Sequence, residues 1–425
     1  MRVLWLCNIV LPDFCEAFQI KKTIGGGWME GLYRELQSSD ACELAVACGI
    51  RDAARRHDGV HEGVRYYAFD ASQDDMLQDD AACAPMAADF HRILADFQPD
   101  VVHIWGTEYP HAWAMLQACR TLGMERRIVC HLQGILSFYQ QHYALGLPAS
   151  VIHEVDAHGN SIARDIAAFR RQAVRERDVV RGAGVVLGRT FWDESCARVL
   201  CPEVRYRFCE EILRPEFYEV GYRWDVRACA RHTIFLSQAG YPVKGFHFLL
   251  SALRILKAWY PDIHVFIGGT NPMQPDATGH RSTYGAYLHD LAERLGVSNC
   301  ITFLGRLSAE EMRKEYLRAH VFVSASTIEN SPNSVAEAMM LGVPVVASLV
   351  GGLATLIEHG RSGLLYQADS PYMLAAYVRK VFEDDALATA MSSRAQKTMH
   401  DRHDPDAIVR QVLSIYEETS REGSR

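Results

Sequence analysis

Several things are missing from this 425-residue chain, and each absence closes a line of function. There is no surplus of positive charge: 44 Lys and Arg stand against 52 Asp and Glu, for a formal net charge of −8. The imbalance lies in residues 1–220, which hold 23 basic and 31 acidic side chains, whereas 221–425 hold 21 of each. Nucleic-acid affinity comes largely from clustered Lys and Arg displacing counterions, so DNA and RNA are not expected partners. The twelve cysteines contain no Cys-x-x-Cys pair and no short secreted framework, which predicts reduced thiols, no structural zinc and a cytoplasmic setting. No apolar run reaches the ~18 residues of a spanning helix, so membrane contact is expected to be peripheral at most, at the inner face. The apolar stretch Val3 to Pro12 is broken by Asn8 and followed by no small-residue cleavage site, and it reads as a buried first strand. Internal repeats and low-complexity segments are absent.

What is present is an ordinary globular composition, 49% hydrophobic and 23% charged, and at roughly 150 residues per domain the length predicts two or three domains. From Thr233 onward, short runs rich in branched and aromatic residues alternate with helical stretches. Strands are predicted at Thr233–Leu236, His264–Ile267, Ile301–Leu304, Val321–Ser324, Val343–Ala347 and Gly363–Tyr366. Between the first two, Phe246, Leu249, Leu250, Leu253 and Leu256 recur at helical spacing with one apolar face. Strand and helix in alternation predict a parallel α/β sheet. The first half reads similarly, with strands at Val3–Cys7, Leu44–Ala47, Arg65–Phe69, Val101–Ile104, Ile128–Cys130 and Gly184–Leu187 and a helix over Ala81–Phe97. The expected domains are therefore 1–220 and 221–404, with a final helix of about 405–420 returning to the first. Open α/β sheets bind ligands at the carboxyl ends of their strands, and two such domains would enclose a cleft.

The richest stretch for chemistry runs from Ser324 to Glu337 and contains Glu329-Asn330-Ser331-Pro332-Asn333-Ser334. It follows a predicted strand and opens a predicted helix. With Pro332 near the first helical position and Ser331 capping it, unpaired amides and the aligned peptide dipoles favour a phosphate there without a metal. Glu329 and Glu337 would flank such a ligand. Ser334-x-x-Glu337 also matches a capping box in which Glu337 serves only its own helix, and on this stretch alone the two readings weigh equally. Lys244-Gly245 follows the first strand of the second half after a Gly- and Pro-containing turn, where a lysine can project a point charge toward a phosphate. Gly25, Gly26 and Gly27 end a connection of about twenty residues, far longer than the usual strand-to-helix loop, and they admit close backbone approach without matching a dinucleotide fingerprint. His131, and the run His103-Ile-Trp-Gly106-Thr107-Glu108, each follow a strand; isolated histidines are more often structural than catalytic. His400 and His403 have helix-face spacing but lie in a polar break, and no metal is expected there. Asp404-Pro-Asp406 reads as a helix start. Arg164 to Arg181 carries six arginines against three acids, a basic face that could meet an anionic membrane or simply be solvated.

Together these residues resemble the retaining glycosyltransferases of the GT-B fold, specifically family 4 (glycosyl transferases group 1). The resemblance rests on Glu329-x7-Glu337, on Leu341-Gly342-x-Pro344-Val345-Val346-Ala347, on Gly351-Gly352, on Glu358-x-Gly360-x-x-Gly363 and on Lys244-Gly245, with weaker support from Gly25 to Gly27, the Glu108 run and His131. It implies two Rossmann-like parallel-sheet domains facing a central cleft. It also implies that a nucleotide sugar, UDP-linked first and GDP-linked second, lies mainly on the second domain. Glu337 would bind the ribose hydroxyls. Lys244 and the amides of Asn330, Ser331, Asn333 and Ser334 would hold the diphosphate. Glu329 would sit by the sugar with His131 across the cleft, Gly25 to Gly27 would meet phosphate or acceptor, and Gly305 would border the base. One departure stands out: the family's usual Arg six residues before the Lys is Gln238 here, so Arg306 or Arg189 would have to supply the missing charge if amide hydrogen bonding does not.

The implied activity is a metal-independent, cofactor-free hexosyl transfer with retention to a glycan or lipid-linked hydroxyl acceptor in cell-surface polysaccharide or glycolipid synthesis, with Glu108 and Arg189 on the acceptor side. The rival readings are a nucleotide-sugar epimerase of the same fold and a non-catalytic nucleotide-sugar-binding protein. The oligomeric state is not encoded in any feature above.

Overall fold

The computed structural model describes residues 1–18, 20, 27–52, 58–72 and 74–423. The chain divides into two compact units, one made of Met1–Gln140, Ala167–Ile212 and His403–Arg425, the other of Gln141–Ile166 and Leu213–Arg402.

The first unit is built on strands β1 (Arg2–Cys7), β2 (Glu43–Ile50), β3 (Gly59–His61), β4 (Val64–Asp70), β5 (Val101–Trp105), β6 (Ile128–His131), β7 (Val185–Gly188) and β8 (Tyr206–Phe208). They form one sheet in the order β3-β4-β2-β1-β5-β6-β7-β8. Every pairing is parallel except that of β3 with β4. The central strand β5, VVHIW, is buried at all five positions, as a parallel strand covered on both faces must be, which is why it reads as an apolar run interrupted only by His103. The predicted helix at 81–97 divides into a 3₁₀ turn, Ala81–Cys83, and an α-helix, Ala84–Phe97. Pro85 supplies the reason: lacking an N–H and fixed near helical φ, it fits the first turn of a helix better than its interior. The buried Met86, Phe90, Ile93, Leu94 and Phe97 make the inward stripe of this helix. The last helix, Pro405–Gly423, begins where the Asp404 carboxylate accepts the Ala407 N–H at 2.7 Å. It carries Tyr416, whose hydroxyl accepts from Trp5 Nε1 at 3.0 Å and bonds the buried His103 Nδ1.

The second unit holds β9 (Thr233–Leu236), β10 (His264–Gly268), β11 (Ile301–Gly305), β12 (Val321–Ser324), β13 (Val345–Ser348) and β14 (Leu364–Tyr366), all parallel, in the order β11-β10-β9-β12-β13-β14. The predicted strand from Val343 starts at Val345, since Pro344 has no N–H to give a ladder. Phe246, Leu249, Leu250, Leu253 and Leu256 are buried along the helix Phe246–Trp259. Strand order reverses between β1 and β5 in one sheet and between β9 and β12 in the other. At such switch points neighbouring connections leave on opposite faces, and a crevice opens at the carboxyl ends.

Gln141–Ile166 packs within the second unit. Leu145 O accepts from His247 Nε2 at 2.9 Å, and Gly146, at φ +79°, passes so close to Phe248 that a Cβ would lie 2.4 Å from its ring. Burial lowers the His247 pKa to about 4. The unfolded chain takes up this proton near pH 6.5 and the folded one only near 4, so the contribution of neutral His247 to stability is lost as pH falls through that window. The expected outcome is that the advantage of the native chain over His247→Gln in urea unfolding shrinks by about 2 to 3 kcal/mol between pH 7 and pH 4.5; a pH-independent difference would refute this.

Among the described residues no helix is long and apolar enough to cross a membrane, and no three His, Cys, Asp or Glu side chains group as a metal site. All twelve cysteines are free thiols.

Candidate active site

At the β9–β12 switch point, the turn after β9 is a 3₁₀ segment, Pro242–Lys244, closed by Gly245 at φ +62°. A Cβ on Gly245 would stand 1.9 Å from the Ala325 carbonyl oxygen, so the glycine serves both the left-handed turn and a close approach to the loop after β12. Thr327 N–H donates to Val243 O at 2.8 Å, and Ser348 Oγ to Ser326 O at 2.6 Å, so the loop is anchored to the β9 turn on one side and to β13 on the other. Gly352 N–H donates to Glu329 O at 3.0 Å. Gly351, at φ +47°, leaves only 1.9 Å between its would-be Cβ and that same oxygen.

This scaffold brings Lys244 and Glu329 together. Lys244 Nζ lies 2.6 Å from Glu329 Oε1, which also accepts from Ser326 Oγ at 2.7 Å; both charged side chains are 15% exposed. Burial disfavours the Lys244 charge, but the adjoining carboxylate outweighs it and holds the amine above its ordinary range. Gln238 and Ser334 line the same small cleft. The pair is a compact charge-assisted contact at the carboxyl ends of β9 and β12.

The helix beyond the loop runs from Asn333 to Met340, with Pro332 as its N-cap and no side-chain cap hydrogen bond. Two expectations are therefore corrected. Ser331 does not cap the helix, and Ser334 and Glu337 form no capping box: the extended backbone at Pro332 moves the start one residue on. Val335 and Ala336 N–H both reach Pro332 O. Glu337, 4% exposed, receives two bonds of 2.8 Å from Arg214 Nε and Nη2. Burial raises its pKa and the guanidinium opposes that shift. Nothing in the sequence pattern marks Arg214, which lies in the aperiodic stretch before Arg231.

The other expected residues fall as follows. Asn330 and Ser331 are buried in the loop. Gly305, at φ +77° with open space where a Cβ would be, ends β11 and accepts the Gly269 N–H at 2.7 Å. Arg306 is exposed. Gly25 and Gly26 lie outside the described residues, and Gly27 opens the helix Gly27–Gln37. In the first unit, His131 ends β6, 1% exposed, its ring stacked on Trp105 at 4.7 Å and Trp105 stacked on His103 at 4.2 Å. Among the described residues neither His131 nitrogen has a hydrogen-bond partner, and burial lowers the ring's pKa well below its usual value. Glu108 Oε1 accepts from Gly134 N–H, and burial raises its pKa while backbone amides of Gly134, Glu108 and Thr107 oppose the shift. Arg189 is bound to Glu211 at 2.6 Å with both side chains buried, so its charge is already neutralised within the first unit. Of the basic stretch, Arg175 pairs with Asp80 at 2.9 Å, Arg181 Nε donates to Leu200 O at 2.9 Å and Arg170 Nε to Gln140 at 3.0 Å. Much of that face is spent on internal bonds. His403 Nδ1 bonds the Glu211 carbonyl at 2.8 Å.

Residues 230–398, all in the second unit and including Lys244, Glu329 and Glu337, match the model of the family described as glycosyl transferases group 1. The match lies wholly within this unit and covers less than half of the chain. The chain is 25% identical over 243 residues to an uncharacterized glycosyltransferase of Methanocaldococcus jannaschii, covering 55% of this chain and 59% of that one; it thus spans under two thirds of that curated relative. Among solved structures it is similar to the sucrose-phosphate synthase of Thermosynechococcus elongatus, with a TM-score of 0.74 at 16% identity over 98% of both chains. It is also similar to Anabaena HepE in complex with UDP-glucose, with a TM-score of 0.69 at 18% identity over 98% of this chain and all of that one. Two parallel-sheet units with these neighbours make the fold GT-B.

Proposed function

We propose that the protein is a retaining glycosyltransferase that moves a hexose-type sugar from a nucleoside diphosphate sugar to a hydroxyl acceptor in cell-surface glycan or glycolipid synthesis. The observation that carries this reading is the Lys244–Glu329 pair in the cleft after β9 and β12, inside the matched domain. The HepE complex with UDP-glucose supports a UDP-sugar as the first donor to try, with a GDP-sugar second.

In this reading Lys244, Gln238 and the amides at the start of the Asn333–Met340 helix hold the diphosphate, with the loop residues Asn330 and Ser331 beside it. Glu329 stands by the transferred sugar and steadies the positive charge that develops at its anomeric carbon. Glu337 takes the ribose hydroxyls, and Gly305 borders the base. The first unit is assigned the acceptor through Glu108, with His131 serving the sugar; Arg189 is the weaker acceptor candidate because of its bond to Glu211. As the anomeric carbon–phosphate oxygen bond breaks, the acceptor oxygen joins the same face and its proton passes to the departing phosphate. No protein carboxylate is then required as base, unlike the paired acids of glycosidases. The charge left on the diphosphate is offset by Lys244 and the helix-start amides, so turnover is assigned no metal requirement. Lacking the family Arg, Gln238 contributes a hydrogen bond rather than a charge.

The test is a panel of UDP- and GDP-sugars scored for nucleotide release with hydroxyl acceptors, with and without EDTA, alongside thermal shift. A true donor at 100 times its dissociation constant stabilises the fold by about 2.7 kcal/mol. Release that survives EDTA is expected. Silence across the panel would overturn the activity, and loss in EDTA restored by magnesium would overturn the metal independence.

A further inference from the structure

Glu337 has a partner that the motif containing it does not include. Arg214 approaches the carboxylate side-on, Nε to Oε1 and Nη2 to Oε2, both at 2.8 Å. The guanidinium is itself fixed: its carbon lies 4.9 Å from the centre of the Phe217 ring, and Phe217 packs edge-on to Tyr316 at 5.9 Å. The turn Pro215–Phe217 is held by the buried Arg313, whose Nη1 donates to Glu216 O at 2.8 Å. A carboxylate has about four acceptor sites, and a fork of this kind fills one on each oxygen. The Tyr316 hydroxyl also lies against this carboxylate, with its own proton donated to Ser334 O at 2.8 Å; the acceptor capacity left beyond the fork is held in a set orientation and suited to O–H donors on adjacent carbons.

We infer that Arg214 is a positioning residue that keeps Glu337 charged and aimed as a reader of a vicinal diol, so that ribonucleotide donors are accepted and 2′-deoxyribonucleotides rejected. This rests on the nucleotide-sugar reading above. The chemistry follows from what the fork does. A carboxylate accepts from both hydroxyls, whereas its protonated form must use one oxygen as a donor and loses that match. The groups facing Glu337 are Arg214 and Glu216 from the segment before β9 and Tyr316 from the helix Ala309–Arg318. Of these only Arg214 is cationic, so its removal leaves a buried carboxylate beside another acid, which then binds a proton more readily.

The experiment measures binding of UDP and 2′-deoxy-UDP, and of GDP and 2′-deoxy-GDP, to the full chain and to Arg214→Gln and Arg214→Lys, at pH 6 and pH 8. The native chain is expected to prefer the ribonucleotide by about ten- to hundredfold, the span of a hydrogen bond to a charged group. Arg214→Gln is expected to weaken UDP binding by a similar factor and reduce the preference to near unity. Its residual affinity should rise from pH 6 to pH 8, and Arg214→Lys should recover part of both losses. A purely structural Arg214 would lower the melting temperature and leave the ribo/deoxy ratio and its pH dependence unchanged, which would overturn the inference. If Arg214→Gln does not fold, an unchanged ratio in Arg214→Lys overturns it equally. Failure of the native chain to bind any of the four nucleotides would instead overturn the nucleotide-sugar reading itself.

Discussion

Lys244→Ala is expected to fold and to lose about two to three orders of magnitude in kcat, the usual cost of removing one preorganised group that stabilises developing negative charge. The loss should fall on kcat more than on KM, because the diphosphate gains charge only as the glycosidic bond breaks and an interaction strengthened at that moment shows in the rate. The absence of an Arg at Gln238 sharpens the expectation, since among the described residues Lys244 is the one cation lining that cleft. Glu329→Ala is expected to be comparably inactive, and for a coupled reason. Lys244 Nζ and Glu329 Oε1 are 2.6 Å apart, and deleting either partner leaves a largely buried charge uncompensated. The double variant Lys244→Ala/Glu329→Ala should therefore be less destabilised than the sum of the single changes, while its turnover stays at the floor of either. Urea unfolding and steady-state nucleotide release on the three variants check this. Near-native kcat in either single variant removes that residue from the mechanism.

The second large effect concerns a residue with no chemistry of its own. Gly351→Ala forces a Cβ to within 1.9 Å of the Glu329 carbonyl oxygen at φ +47°, so the strain of a left-handed alanine is joined by a clash with backbone that cannot rotate away. The left-handed conformation costs about 1 to 2 kcal/mol and overpacking about 1 to 3 kcal/mol more. Gly360 separates the two contributions. It sits at φ +77° with open space where its Cβ would be, so Gly360→Ala is expected to cost only the conformational part and to leave turnover near native. Gly351→Ala should lose more stability and, by pushing the Glu329 loop, at least tenfold in kcat as well. Equal melting temperatures and equal activity in the two variants would refute the role assigned to the close approach.

Both sheets are legible in the sequence because their inner strands are buried on two faces and so appear as largely apolar runs. Strands β3 and β8 are not: each has three residues, neither is apolar throughout, and only pairing to a neighbour makes them strands. Lys244 and Glu329 can each be placed after a strand from sequence alone. That β9 and β12 are neighbours, and so bring the two side chains to one cleft, is a property of strand order, which local periodicity does not carry. The capping-box pattern at Ser334 and Glu337 shows the converse failure. A motif satisfied in sequence loses to a stronger partner in space, because a buried carboxylate is better served by a guanidinium 123 positions away than by an amide of its own helix. Arg214 itself lies in a stretch without period, where pattern has nothing to report.

The membership of Gln141–Ile166 in the second unit bears on how this protein can be taken apart. A recombinant fragment limited to 213–402 contains every strand of the β9–β14 sheet, yet it leaves His247 Nε2 without the Leu145 carbonyl and strips from Phe248 the backbone of Gly146 that lies against it. Dissection along the linear sequence thus uncovers an apolar, hydrogen-bond-deficient strip on the helix Phe246–Trp259, directly after the Lys244 turn. A soluble excised second unit is better designed with 141–166 rejoined to it through a short linker than cut as one continuous piece.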